Sequence, residues 1–279
     1  MGRQHLSTII IAICFDGNLV VERVLGGEVA VVDLRAVAEH YHRDRFPELP
    51  PLRYTRSVPE LDRDFCRAVA RHFDQAPEFA LGAHGAALYQ VLQQEDLRQY
   101  QAIQHAGVEV RPWRGAGQPY RDSATLIEQV TRTGTLWLYL TRSGHGPGTA
   151  DERHPMLGDA GVVVDGEPLC HNDILRVVHD LFGHVALGAG FGPRGEFAAT
   201  HGHRSLYPRA VWPVLFTEQI GQICWFFFGD HLSGPGEPGR LPPARRPYPK
   251  QKVFLYPQSF LAWFERSFTP KEADARRAW

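Results

Sequence analysis

Two histidines stand close together in a segment that is otherwise apolar. They are His179 and His184, and Asp180 lies between them. The apolar residues of this segment recur at helical spacing, which predicts a helix with Asn172 or Asp173 as its N-cap. Burying imidazoles and a carboxylate without partners costs several kcal/mol, and neutral imidazole is the commonest protein metal ligand. The segment therefore predicts a metal site.

The spacing of the two histidines restricts how they can share a metal. His179 and His184 are five residues apart, which is about 140° around an ideal α-helix. They can converge only near a helix end or where the backbone deforms, and Gly183 weakens the continuity of the helix. Asp180 and His184 are four residues apart, so Asp180 is either a competing ligand or an outer partner of the site.

A third ligand should come from another element, and Glu218 is the first candidate. It lies in segment 211–228, which is apolar on nearly every face and is predicted to be a buried helix. A glutamate in such a helix must be paired, protonated or bound to a metal. The alternative to a ligand is a buried ion pair with Arg194 or Arg176.

These residues resemble a known family. The sequence His-Asp-Leu-Phe-Gly-His-Val at 179–185 resembles the metal motif of the pterin-dependent aromatic amino acid hydroxylases, and Phe216-Thr217-Glu218 is similar to the context of that family's third ligand. The resemblance implies non-haem Fe(II) held by His179, His184 and Glu218, a facial triad with open coordination positions. It covers about 50 of 279 residues. It includes no pterin-binding segment, so it leaves both pterin and an aromatic substrate uncertain.

A second resemblance is broader. Residues 112–229 are similar to an uncharacterised family of bacterial and phage proteins, through pieces that include 117–120, 191–196 and 217–222. This resemblance implies that the stretch is one unit, and it implies no known activity.

Between the two predicted helices lie further polar residues. Glu196 is expected to open a short helix that carries His201. Glu196, His201 and His203 are alternative metal ligands. In the other interpretation, Glu196 pairs with Arg194 and His203 is solvated. Arg194 is also a candidate for binding a substrate carboxylate, because a planar guanidinium suits bidentate recognition. We expect Asp180, Arg194 and Glu196 to serve catalysis beside the metal.

Composition indicates a single domain, residues 1–279, with a mainly α (α+β) fold. Its expected parts are a β-rich segment at 1–32, a helical metal-binding core at 33–232, and a Pro/Gly-rich crossing with a C-terminal helix at 233–279. The net charge of −1 gives no electrostatic reason to expect nucleic acid or a membrane surface as partner. Four scattered cysteines favour a reduced, cytoplasmic protein. The oligomeric state is not predicted.

Local patterns predict the elements around the site. Helices are expected at 33–45, from a Ser57-x-x-Glu60 capping box to 75, at 82–106 and at 122–132. Strands are expected at 108–112 and 136–140, and these two strands could pair with each other.

Three functions fit the sequence. The first is a mononuclear non-haem iron(II) oxygenase that hydroxylates a small, amino-acid-like substrate. The second is a metal-dependent phosphohydrolase using Zn or Mn and the His179-Asp180 doublet, with His154, His171 and Asp230 as loosely matching further ligands. The third is a metal-stabilised binding module without catalytic activity.

Overall fold

The part of the chain that the structure describes is mainly helical, as predicted. This computed structural model describes residues 32–52, 60–144, 153–234, 236 and 238–268. The α-helices there are α1 (Leu34–Arg45), α2 (Arg63–Gln75), α3 (Ala83–His105), α4 (Ser123–Thr133), α5 (Thr141–Gly144), α6 (His171–Val178), α7 (Pro193–His203), α8 (Trp212–Phe216), α9 (Gln222–Phe228) and α10 (Gln258–Arg266).

Two helical runs contain π-helical segments. The first segment, His179–Val185, continues α6, and the second, Thr217–Gly221, connects α8 to α9. Short 3-10 turns complete the described helical structure: Pro155–Leu157, Arg204–Leu206, Arg209–Val211, Asp230–Ser233, Pro238–Arg240 and Pro243–Arg245.

Capping residues explain where several helices begin. Asp33 and Asp122 cap α1 and α4 through their side chains, which confirms both predicted starts. The predicted start of α2 is wrong, because residues 60–62 are not helical and the helix begins at Arg63 with Asp62 as its N-cap; Ser57 of the predicted capping box lies outside the described residues. Cys170, rather than Asn172 or Asp173, is the N-cap of α6, and the Asp173 side chain reaches back to the Cys170 backbone.

Two small sheets flank the helices. Strands β1 (Glu109–Pro112) and β2 (Thr135–Leu138) pair in parallel, which confirms the predicted pairing, and α4 connects them. Strands β3 (Asp159–Val164) and β4 (Glu167–Cys170) form an antiparallel hairpin that sequence patterns did not predict. This hairpin leads directly into α6, so it fixes where the first metal-site helix begins.

Helix α3 lies at the centre of the packing. Its polar residues Glu95, Asp96 and Gln99 are fully buried, and its apolar residues join two of the three hydrophobic clusters. The α6 run packs on α3, and α7 packs on the first π-helical segment. The second π-helical segment packs between α2 and α7. The two π-helical segments and α7 are therefore brought together in the interior.

Some predictions cannot be compared with the structure. The β-rich segment expected at 1–32 lies outside the described residues except for its last residue. The sequence also predicts a glycine-rich loop at 143–151, of which only Ser143 and Gly144 are described. Among the described residues, no helix is both long enough and apolar enough to cross a membrane.

Candidate metal centre

A π-helical backbone brings the two histidines of the motif together. The π-helical segment covers His179–Val185, and the Ala186 N–H that follows it donates to Leu181 O at 2.9 Å. This hydrogen bond spans five residues, as in a π-helix rather than an α-helix. Residues five apart therefore face the same side, and the rings of His179 and His184 have centroids 4.9 Å apart. This deformation is one of the two conditions that the five-residue spacing required.

Glu196 supplies the third ligand atom of the group. It lies in the first turn of α7, which begins at Pro193 as an N-terminal proline. Its Oε2 atom lies 3.4 Å from Nε2 of His179 and 3.4 Å from Nε2 of His184. One ligand atom from each residue falls within 4.8 Å of the others. The three residues can therefore hold a metal ion, with Glu196 in the place that the sequence analysis gave first to Glu218.

The structure places Glu218 in a different buried cluster. Its Oε1 accepts a hydrogen bond from the Tyr89 hydroxyl at 2.5 Å and lies 3.6 Å from Nε2 of His154. Burial raises the pKa of Glu218, and His154 and Tyr89 offset this only in part. Glu218 therefore has partners other than a metal, as in the alternative to a ligand role, but these are Tyr89 and His154 instead of Arg194 or Arg176.

A backbone carbonyl orients the ring of His184. Nδ1 of His184 donates to Ala189 O at 3.1 Å, which leaves Nε2 facing Glu196. Ligating histidines commonly have such a partner on the other ring nitrogen, because it fixes the tautomer. The loop that carries Ala189 packs tightly on α7, since a Cβ added at Gly195 would lie 1.9 Å from Gly190 O. Gly195 is therefore required for the position of this carbonyl.

The ring of His179 is held by the second π-helical segment. Nδ1 of His179 lies 3.0 Å from the side-chain amide nitrogen of Gln219, and Nε2 faces Glu196. A Cβ at position 183 would lie 3.2 Å from Nδ1, so Gly183 leaves the space that the ring needs. Gln219 was not predicted as a site residue. Its signal in the sequence is that it is a second polar residue, beside Glu218, in a helix that is otherwise apolar.

Opposite charges stabilise one another in this group. Burial alone would raise the pKa of Glu196, but His184 and His179 outweigh it and lower the pKa to about 2. Burial alone would lower the pKa of His184, but Glu196 and Asp180 outweigh it and raise the pKa to about 8. The three residues therefore form a group of opposite charges around the carboxylate of Glu196.

Asp180 lies within electrostatic range of all three residues of the group. Burial raises its pKa, while His184, His179 and Arg176 act in the opposite direction. Arg176 donates to Tyr139 O at 2.6 Å and is half-buried. Arg194, the predicted substrate-binding arginine, is exposed in the first turn of α7. Asp180 and Arg194 thus lie on the two elements that carry the metal group.

The other histidines between the two runs have different environments. His203 is fully buried, so the expectation that it is solvated is wrong, and its ring centroid lies 5.7 Å from that of His179. Nε2 of His203 lies 2.7 Å from Oε1 of Gln99. His201 stacks on Phe268 at 3.7 Å between centroids. Neither histidine belongs to the three-residue metal group.

No family model matches this chain, and no curated protein or solved structure matches it either. These comparisons support neither of the two resemblances. The metal-binding interpretation therefore rests on the geometry of His179, His184 and Glu196.

Proposed function

We propose that this protein is a mononuclear non-haem iron(II) oxygenase in which His179, His184 and Glu196 hold the metal. The observation that carries the proposal is the convergence of two imidazole nitrogens and one carboxylate oxygen within 4.8 Å. Two histidines and one carboxylate on one side of a metal are the ligand set of non-haem iron(II) oxygenases. Two-histidine, one-glutamate sites also bind catalytic zinc, so the metal must be identified by experiment.

The residues present fit a divalent cation. The distance of 3.4 Å between Oε2 of Glu196 and each Nε2 suits ligand atoms that each lie about 2.0–2.2 Å from a common ion. The ring of His184 already directs Nε2 into the site, because its Nδ1 donates to Ala189 O. Glu196 carries the negative charge that a cation requires. All three ligands lie on helical elements, which hold their side chains more firmly than loops do.

The site has one closed and one partly open side. The side chain of His184 is 2% exposed, whereas His179 and Glu196 are 12% and 15% exposed. The closed side is covered by Phe191, whose ring packs edge-on against His184 at 4.9 Å between centroids. A small substrate would therefore approach from the side of His179 and Glu196.

The surrounding residues supply roles other than metal ligation. Asp180 is half-buried and lies within electrostatic range of the three ligands, so its carboxyl group is placed to exchange a proton with a substrate. Arg194 lies two residues before Glu196 and is exposed, so it is available to a substrate carboxylate at the entrance. When bound, Fe(II) would supply the redox chemistry for activating molecular oxygen. The proposal includes no role for a pterin.

The hydrolase alternative has less support. His154 lies beside Glu218 rather than in the metal group, and neither His171 nor Asp230 belongs to that group. Of the residues that favoured a phosphohydrolase, only the His179-Asp180 doublet lies at the site. A zinc- or manganese-dependent hydrolase would use the same three ligands.

The decisive experiment is metal analysis of anaerobically purified protein, with His184→Ala purified in parallel. We expect about one iron per chain, no iron in the variant, and oxygen uptake when candidate small substrates are added to the iron-loaded protein. Zinc or manganese at one ion per chain, together with phosphatase activity and no oxygen uptake, would replace the oxygenase proposal by the hydrolase. Equal metal content in the wild type and in His184→Ala would show that His184 does not bind the metal and would refute the proposed metal site.

A further inference from the structure

The contact between His179 and Gln219 has a consequence for how the metal is held. Nε2 of His179 faces Glu196, so a metal would bind that nitrogen. A neutral imidazole that gives its Nε2 lone pair to a metal must carry its proton on Nδ1. That proton needs an acceptor, and the neighbour of Nδ1 is the side-chain amide of Gln219.

The amide of Gln219 can provide this acceptor by turning. Its nitrogen lies 3.0 Å from Nδ1 of His179, and its oxygen is buried without a hydrogen-bond partner. The oxygen and nitrogen of a carboxamide have nearly the same shape, so the group can turn by about 180° in the same space. Turning brings Oε1 to the Nδ1–H of His179 and removes the buried oxygen without a partner, which is otherwise costly.

A second buried acceptor without a donor belongs to His203, whose ring centroid lies 5.7 Å from that of His179. Nε2 of His203 donates to Oε1 of Gln99, whose own amide nitrogen donates to Leu206 O at 3.1 Å. Because this chain fixes the tautomer of His203, its Nδ1 is an acceptor, and it is buried without a donor. Buried acceptors without donors thus occur on two of the residues near His179, namely Gln219 and His203.

The backbone holds Gln219 firmly in this position. Its neighbour Glu218 is held by Tyr89, and the hydroxyl of Thr217 donates to Phe254 O at 2.8 Å. Both contacts tie the second π-helical segment to neighbouring elements.

We infer that Gln219 is a positioning residue that accepts the Nδ1 proton of His179 and so keeps Nε2 of His179 available to the metal. The inference rests on the metal site proposed above and adds the residue that selects the tautomer. Partners of this kind commonly change metal affinity by about 10- to 100-fold. A neutral amide at this place keeps His179 a neutral ligand, whereas a carboxylate would make the imidazole a stronger electron donor to the metal.

The test uses the full-length chain with Zn(II) as the probe, measured by calorimetry and by ¹⁵N NMR of the histidine side chains. We expect Zn(II)-loaded protein to show His179 protonated at Nδ1 and bound through Nε2. Gln219→Leu should weaken Zn(II) binding by about 10- to 100-fold, and Gln219→Glu should restore it to at least the wild-type affinity. Gln222→Leu is the matched control, because Gln222 lies three residues further along, is half-buried and bonds Gln251 instead.

The possible failures are distinguishable. If the wild type binds no metal, the proposed function fails. If the wild type binds Zn(II) but Gln219→Leu binds within about threefold of it, or Gln219→Glu loses as much affinity as Gln219→Leu, the inference about Gln219 is overturned. The NMR measurement needs no variant, so it can overturn the inference even if Gln219→Leu does not fold: a His179 proton on Nε2 in the Zn(II)-loaded protein would contradict it.

Discussion

Replacing Glu196 by glutamine should abolish the metal site and also change how stability depends on pH. The variant keeps the shape of the side chain but removes the charge that lies 3.4 Å from both imidazoles. We expect metal affinity to fall by at least about 100-fold, since a direct ligand matters more than an outer partner. Glu218→Gln is the matched control, because its buried carboxyl has a raised pKa and bonds Tyr89. It should still bind one metal per chain.

The size of the pH effect follows from His184 in the metal-free protein. Its pKa is raised from 6.5 to about 8. A raised pKa in the folded state adds stability that is complete below about pH 6.5 and is lost as the pH rises through 8. At about 1.4 kcal/mol per pKa unit, the gap amounts to about 2 kcal/mol. The free energy of unfolding of the wild type should fall by up to about this amount between pH 6 and pH 9 because of His184, and Glu196→Gln should lose most of that dependence.

The pH dependence of metal affinity should give a second, independent measure of the His184 pKa. Because the ion replaces the proton of His184, the apparent affinity of the wild type should fall about tenfold for each pH unit below 8. The assays are urea unfolding of chelator-treated protein at pH 6 and pH 9, and calorimetric metal titration over the same range. The reasoning is refuted if Glu196→Gln binds metal like the wild type, or if Glu218→Gln is the variant that loses it.

Three further outcomes are expected. Asp180→Asn should weaken metal binding by about 10- to 100-fold without destroying the site, as measured by calorimetry, and complete loss would make Asp180 a ligand. Gly195→Ala should lower both the melting temperature and the metal affinity, because its Cβ would lie 1.9 Å from Gly190 O. The control Gly192→Ala places its Cβ with no atom within 4 Å, so it should have little effect on either quantity. Equal effects of the two variants would contradict this packing argument. Lys252→Met should lower the free energy of unfolding by about 2–4 kcal/mol in urea, because the buried ammonium donates hydrogen bonds to three carbonyl oxygens at the end of α2. A decrease of less than about 0.5 kcal/mol would show that these hydrogen bonds contribute little.

Patterns that depend only on neighbouring residues were sufficient for much of the fold. The helical periodicity of α1, α3 and α4 and the caps of α1 and α4 appear in the structure close to their predicted bounds, and so does the pairing of β1 with β2. The two histidines were identifiable because imidazoles in an apolar segment need partners. The sequence by itself thus determined the mainly helical class and the two histidines of the candidate metal group.

The tertiary structure decided the rest of the site. By their chemistry, Glu196 and Glu218 were both possible ligands. Only the packing of α7 on the first π-helical segment brings Glu196 into the group with His179 and His184, whereas Glu218 lies outside that group. The π-helical backbone itself depends on contacts that local propensity does not encode. Gln219 reaches His179 across 40 residues of chain. Such contacts are set by how helices pack, so no local pattern could have assigned them.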